Sequence, residues 1–188
     1  MQVRIAFILI VCLSLGSHLQ AQREETLLGD LDLTGAWGGF TYNYSDYGDD
    51  WALVRGGFGG LELGNRFFLG YGGWSIRDDV RLSESDQVFD LRHGGFVLSY
   101  TPDSYRAIHP RATVIFGPGR VTVDGERDRI FIIQPMAGLE LNVFEAFRLG
   151  VEGGYRLAGN VELENSDISS QDASTFFVQI EMRFGFSW

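Results

Sequence analysis

The fold class this sequence predicts is all-β: an eight-stranded antiparallel up-and-down barrel that crosses a membrane. Three observations predict it. First, Thr175 to Trp188 alternates strictly: Phe176, Val178, Ile180, Met182, Phe184, Phe186 and Trp188 share one face, while Gln179, Glu181 and Arg183 share the other, with Phe177 the one apolar exception. A period of two is a strand with one apolar and one polar face. Second, the connections between such segments alternate between short turns and longer, polar or acidic stretches, which suits a barrel with tight turns at one end and loops at the other. Third, the chain opens with an export signal. A soluble sandwich or a lipocalin-like barrel would show the same alternation with the apolar face inward. The signal, the aromatic terminus and the loop asymmetry together favour lipid outside.

Residues 1–21 read as that signal: Arg4 supplies the positive charge, Ile5 to Leu15 the apolar core, and small residues lead to Ala21. The apolar run is too short to span a bilayer. Cys12, the only cysteine, falls within it, and Ile10 and Val11 stand where a lipoprotein site needs small residues. The chain after residue 21 therefore has no thiol for a disulfide, a thiolate metal site or a cysteine nucleophile. Residues 22–33 form an acidic periplasmic lead-in and residues 34–188 the barrel. All fifteen basic residues are arginine, and the net charge is −10; the net charge argues against nucleic acid or an anionic membrane surface as the partner. Glycine scattered through the apolar segments weakens any helical reading.

The first strand spans about Thr34 to Tyr44, with SDYGDD as the turn cluster after it. The second spans about Trp51 to Leu61; with Arg55 inward, Ala52, Val54 and Phe58 point out. Its two Gly-Gly pairs allow close approach or strong bending. A tight turn at Leu63-Gly64-Asn65 leads into the third strand, Arg66 to Ile76, whose two faces both carry aromatics. Residues 77–87 form a polar loop. The fourth strand, Val88 to Tyr100, presents Phe96, Leu98 and Tyr100 on one face, but Asp90 and Arg92 fall on that face nearer the loop. Either a bulge at Gly94-Gly95 or exit of the strand from the bilayer accounts for this. A turn with two prolines precedes the fifth strand, Arg111 to Pro118, with Ala112, Val114 and Phe116 outward, and a polar stretch runs from Gly119 to Arg129. The sixth strand, Phe131 to Val143, and the seventh, Phe147 to Leu157, alternate cleanly. An acidic loop, 160–173, precedes the last strand.

The inward face of this arrangement carries Arg55, Arg148, Arg156 and Arg183 with Glu140, Glu152 and Glu181. Eight strands leave an interior that side chains fill, and buried charges must be paired, so these residues read as a plug of ion pairs. A gate or proton relay is the sharper alternative. Of the histidines after residue 21, His109 is expected solvated in a periplasmic turn. His93 is expected as a satisfied wall or rim histidine, with an inward carboxylate or Ser99 as its functional partner otherwise. No HxS or nucleophile elbow is present and the GxG triplets are not followed by helices, so no catalytic set, cofactor or metal is expected. Oxygen ligands for a divalent cation are available at Asp46, Asp49 and Asp50, or at Glu162, Glu164 and Asp167, but their spacing matches no defined loop.

The chain resembles the small outer-membrane β-barrel proteins of Gram-negative bacteria, of the OmpX, OmpW and OmpA-transmembrane type. Ile130 to Gly159, IFIIQPMAGLELNVFEAFRLGVEGGYRLAG, is similar to the penultimate hairpin of barrels from Bacteroidota-type envelopes, and GAWGGF and the Gly-Gly pairs fit that group. The terminal MRFGFSW resembles the signal read by the barrel assembly machinery, which assigns that role to Phe184, Phe186 and Trp188. The resemblance implies a bacterial outer-membrane location, lipid and the assembly machinery as partners, and a monomer. It implies no assigned activity. A non-enzymatic structural or surface-interaction protein is therefore the expected function. A narrow channel or transporter for a small or hydrophobic solute is the alternative, and a lipid-modifying envelope enzyme stands last.

Overall fold

The structure, a computed structural model, describes residues 32–47, 50–76, 80–82, 87–123, 126–159 and 174–188. The signal segment with Cys12, the lead-in up to residue 31, Asp49 and the acidic loop with Glu162, Glu164 and Asp167 lie outside the described residues. Among the described residues the strands are β1 (Leu33–Tyr47), β2 (Asp50–Leu63), β3 (Phe67–Ile76), β4 (Val80–Leu82), β5 (Gln87–Tyr100), β6 (Ile108–Val123), β7 (Glu126–Phe144), β8 (Phe147–Gly159) and β9 (Thr175–Ser187). All pairings are antiparallel. The order around the sheet is β3-β2-β1-β9-β8-β7-β6-β5, and β3 pairs with β5 to close it. β4 is a three-residue strand hydrogen-bonded only to the start of β5. The barrel wall is thus eight strands, as the alternation predicts. Closure satisfies the backbone groups that an open edge would leave bare in lipid.

β9 is the closing strand. It pairs β1 from Gly35↔Ser187 to Ser45↔Phe177 on one side and β8 on the other. The backbone N–H of Trp188 donates to Thr34 O at 2.9 Å. At this end the chain reverses in two tight connections, 64–66 and 145–146, and a seven-residue one, 101–107. Gly64 and Asn65 both take positive φ, 57° and 55°, the conformation that both central positions of a type I′ hairpin turn require, and Arg66 N–H donates to Leu63 O. We call this the turn end, and the opposite rim the loop end.

Outside, the apolar positions form a continuous belt. Phe40, Leu69, Tyr71, Phe96, Leu98, Leu139, Val151, Ile180 and Phe184 are all exposed large hydrophobics. Phe67 packs against Tyr100 with ring centroids 5.1 Å apart, and Phe147 stacks on Phe184 at 4.9 Å, placing an aromatic girdle near the turns. A belt this wide fits a lipid environment, where apolar surface needs no cover.

Three expectations change, and one open alternative is decided. The strands run further than the apolar pattern: residues 119–123 and 126–129, expected as a loop, belong to β6 and β7. The segment 80–82, also expected as a loop, is β4. In β2 the facing is reversed. Ala52 and Val54 are buried at 1% exposure, and Arg55 lies opposite Tyr42, an exposed residue of the outer wall. Arg55 is therefore not part of the interior. In β5 the register to both neighbours is continuous through Gly94-Gly95, so no bulge turns the strand; Asp90 and Arg92 stay on the outer face above the belt.

Apart from β4, these corrections share one cause. Towards the loop end the polarity of the wall inverts. Leu91, Val121, Ile130 and Ile132 point inward and are buried, while Arg92, Arg120 and Arg129 are exposed outside. Alternation persists there, but with charged side chains outside and apolar ones inside.

Candidate functional site

The lumen holds two tiers of different chemistry. Alternation aims every second side chain of each strand inward, and the register decides which of them meet. In the half nearer the turns the meeting residues are charged. Glu140 of β7, with no exposed surface, is the hub. It accepts from Arg111 Nη1 at 3.0 Å, Arg183 Nη1 at 2.8 Å and His109 Nε2 at 3.1 Å. Arg148 Nη1 lies 3.6 Å from Oε1, the oxygen that faces His109. Glu181 takes a second bond from Arg111 and sits 3.7 Å from Arg183 Nε. Lower still, Arg148 bonds Glu62 at 2.9 Å, and Ser187 Oγ donates to the same carboxylate at 2.9 Å. The guanidinium of Arg148 lies 4.0 Å from the Trp37 ring centroid, and that of Arg183 lies 4.8 Å from Phe68, so aromatic faces complete the desolvated cations.

Glu152 stands at the upper edge of this tier. It accepts from Thr113 Oγ1 at 2.9 Å and Gln179 Nε2 at 3.4 Å. Ser99 links Thr113 to Arg111. Gly56 shows how closely the neighbouring wall packs: a Cβ there would sit 2.0 Å from Trp74 Cδ1. Only glycine lets the indole lie across β2, and the indole N–H then donates to Thr41 Oγ1 at 3.0 Å.

In the half nearer the loops the lumen is mainly apolar. Ala52, Val54, Leu91, Val121, Ile132 and Phe177 are each at most 1% exposed. Arg156 is the buried cation at this level. It bonds Gln134 Oε1 at 3.1 Å and Ser45 Oγ at 3.3 Å and lies over the Phe177 ring.

Of the interior residues expected from the sequence, Glu140, Arg148, Arg156, Glu152, Glu181 and Arg183 are buried in the lumen. Arg156 stands apart in the upper tier, and Arg55 is outside. Three members were missed: Glu62, His109 and Arg111. Arg111 was legible, because Ala112, Val114 and Phe116 facing out place it inward. Glu62 was lost with the reversed facing of β2. His109 was expected in a solvated turn, but β6 begins at Ile108, so this histidine is already an inward strand position at 1% exposure. His93 is buried and stacks on Trp74 with centroids 5.1 Å apart. It meets neither Ser99 nor a carboxylate, and neither ring nitrogen has a hydrogen-bond partner among the described residues, so it is not the satisfied histidine expected. Phe184, Phe186 and Trp188 face outward at the turn end. Among the described residues no group of three or more His, Cys, Asp or Glu could hold a metal ion.

No family model and no curated protein matches the chain. Solved structures do. Neisserial surface protein A aligns at 12% identity over 82% of this chain and 97% of that one, with a TM-score of 0.57. The N-terminal β-barrel domain of OprF from Pseudomonas aeruginosa aligns at 13% identity over 83% and 99%, also with a TM-score of 0.57. At these identities the likeness speaks to fold. The closed eight-strand wall, its inward charges and its outward apolar belt are those of a small outer-membrane β-barrel, and that is the fold of this chain.

Proposed function

We propose that the chain is an integral protein of a bacterial outer membrane, exported through a cleaved signal, with a non-enzymatic structural or surface-interaction role. One observation carries this reading: the lumen is filled at two successive levels. Charged residues interlock across the turn half, and buried aliphatic side chains occupy the loop half. Either level alone hinders ions. The first fixes its charges in pairs, and the second offers an apolar constriction that water wets poorly. A catalytic reading needs a nucleophile or activated water beside a free base, whereas Glu140 and His109 are engaged with each other and with arginines.

The test is conductance. Purified barrel inserted in planar bilayers is expected to give no steady unitary current, and proteoliposomes no solute flux above empty vesicles. A reproducible, solute-selective current would replace this reading with the narrow-channel one. Absence of the folded chain from the outer-membrane fraction of an expressing cell would overturn the location.

A further inference from the structure

The outer face of the loop end carries an arrangement the lumen does not explain. Arg92 of β5 lies directly opposite Arg120 of β6, and Arg120 directly opposite Arg129 of β7. Three arginines thus form one row across three adjacent strands, all exposed. Like charges placed directly opposite across strands destabilise a sheet. One acid offsets this in part: Asp90 accepts from Arg92 Nε at 3.1 Å. Among the described residues no acid pairs with the guanidinium of Arg120 or Arg129.

Position adds a second observation. Below Arg92 and Arg120 the next outward positions are Gly94 and Pro118, which leave a shallow recess, and below Arg129 it is Phe131, exposed and directly opposite Pro118. The next again are Phe96 and Phe116, rings 5.8 Å apart, with Tyr71 edge-on to Phe96 at 5.5 Å. The arginines therefore stand about 13 Å along the strands from an aromatic row of the lipid-facing belt. At the level of the arginines, above those rings, is a recess of about 410 Å³ lined by Arg92, Gly94, Pro118, Arg120 and Arg129 together with His93 and Gly119. Cations above, a recess of small residues, and an aromatic wall below match an amphiphile in outline: anionic head, linker and acyl chain.

We propose that the Arg92–Arg120–Arg129 row seats the phosphorylated headgroup of a lipid in the outer leaflet, with an acyl chain descending past Gly94 and Pro118 onto Phe96 and Phe116. Guanidinium forks suit phosphate oxygens, which accept two parallel bonds from one fork, and an anion bridging the row relieves its cross-strand repulsion. The inference rests on the outer-membrane reading above: barrels of that membrane keep their short turns on the periplasmic side and their longer loops outside, which puts the loop end at the outer leaflet.

The experiment uses the full chain, exported, extracted in mild detergent and checked as the folded, heat-modifiable form. Wild type and R120Q/R129Q are titrated with diphosphorylated lipid A, with the same lipid stripped of phosphate, and with inorganic phosphate as competitor. Native mass spectrometry reads the lipid retained. The wild type is expected to retain the phosphorylated lipid about thirtyfold more tightly than the variant and to show no such preference for the stripped lipid. An R66Q control at the turn end is expected to match the wild type. Equal retention by wild type and R120Q/R129Q overturns the proposal, as does equal retention of the stripped lipid. Displacement by inorganic phosphate at equal concentration replaces the lipid seat with a simple anion site. Each of these outcomes, in a chain recovered from the outer-membrane fraction, leaves the location standing; absence from that fraction overturns the location instead.

Discussion

The two halves of this lumen solve the same problem in opposite ways. The turn half centres on paired arginine and glutamate backed by the aromatic faces of Trp37 and Phe68, the loop half mainly on isoleucine, leucine, valine and phenylalanine around Arg156, the single cation there among the described residues. In the charged half each side chain depends on its partners: Glu140 alone serves Arg111, Arg183, His109 and, at longer range, Arg148. In the apolar half the contacts are non-directional and divided among many small contributions. Loss of one member should therefore be severe in the first and graded in the second. The difference also locates the risk: a buried charge stripped of its partner costs far more than a small void.

That contrast can be broken by substitution, with stability read as urea unfolding of the micelle-bound barrel. The largest effect is expected from Glu140→Ala, which leaves Arg111, Arg183 and His109 facing one another; breaking a buried pair costs about 3–5 kcal/mol. A loss below that of a single aliphatic trim would refute the hub. Next comes Val151→Arg on the outer belt, at about 2–4 kcal/mol near the bilayer midplane. Retention of the heat-modifiable band at wild-type level in lipid vesicles would mean that this face does not meet lipid. Ile132→Val in the apolar tier is expected to cost about 0.5–1.5 kcal/mol, and a loss as large as that of Glu140→Ala would erase the distinction between the halves. The smallest stability change, within about 0.5 kcal/mol, is expected on removal of the exposed Trp188. Its effect should instead be a drop in folded barrel reaching the outer membrane, quantified by fractionation; undiminished levels would remove the assembly role from the terminal aromatics.

Much of the fold was legible because alternation is a local property. Phe131 to Val143, Phe147 to Leu157 and Phe176 to Trp188 state their outer faces residue by residue. The reading failed where the surroundings of the wall change along a strand. Alternation alone turns Arg55 inward, makes Gly119 to Arg129 a loop, and leaves Asp90 and Arg92 out of place. All three lie towards the loop end, where apolar side chains face the lumen and charges face out. A period-two pattern fixes that two faces differ; it carries no sign for which face is inside. The histidines failed for a related reason: an apolar belt marks where lipid lies, not where a strand starts, so His109 fell outside the apparent strand.

By itself the sequence determined that the chain is all-β, that its strands are two-faced, and that the last of them has the form of a closing strand. The tertiary structure alone decided which inward residues meet. Contact across a lumen is the sum of every strand-to-strand register around the ring, so Glu140 finds Arg111 and Arg183 only once β6, β7 and β9 are aligned. The same registers draw Arg92, Arg120 and Arg129 into one row. Local periodicity sets direction, and only closure sets neighbours.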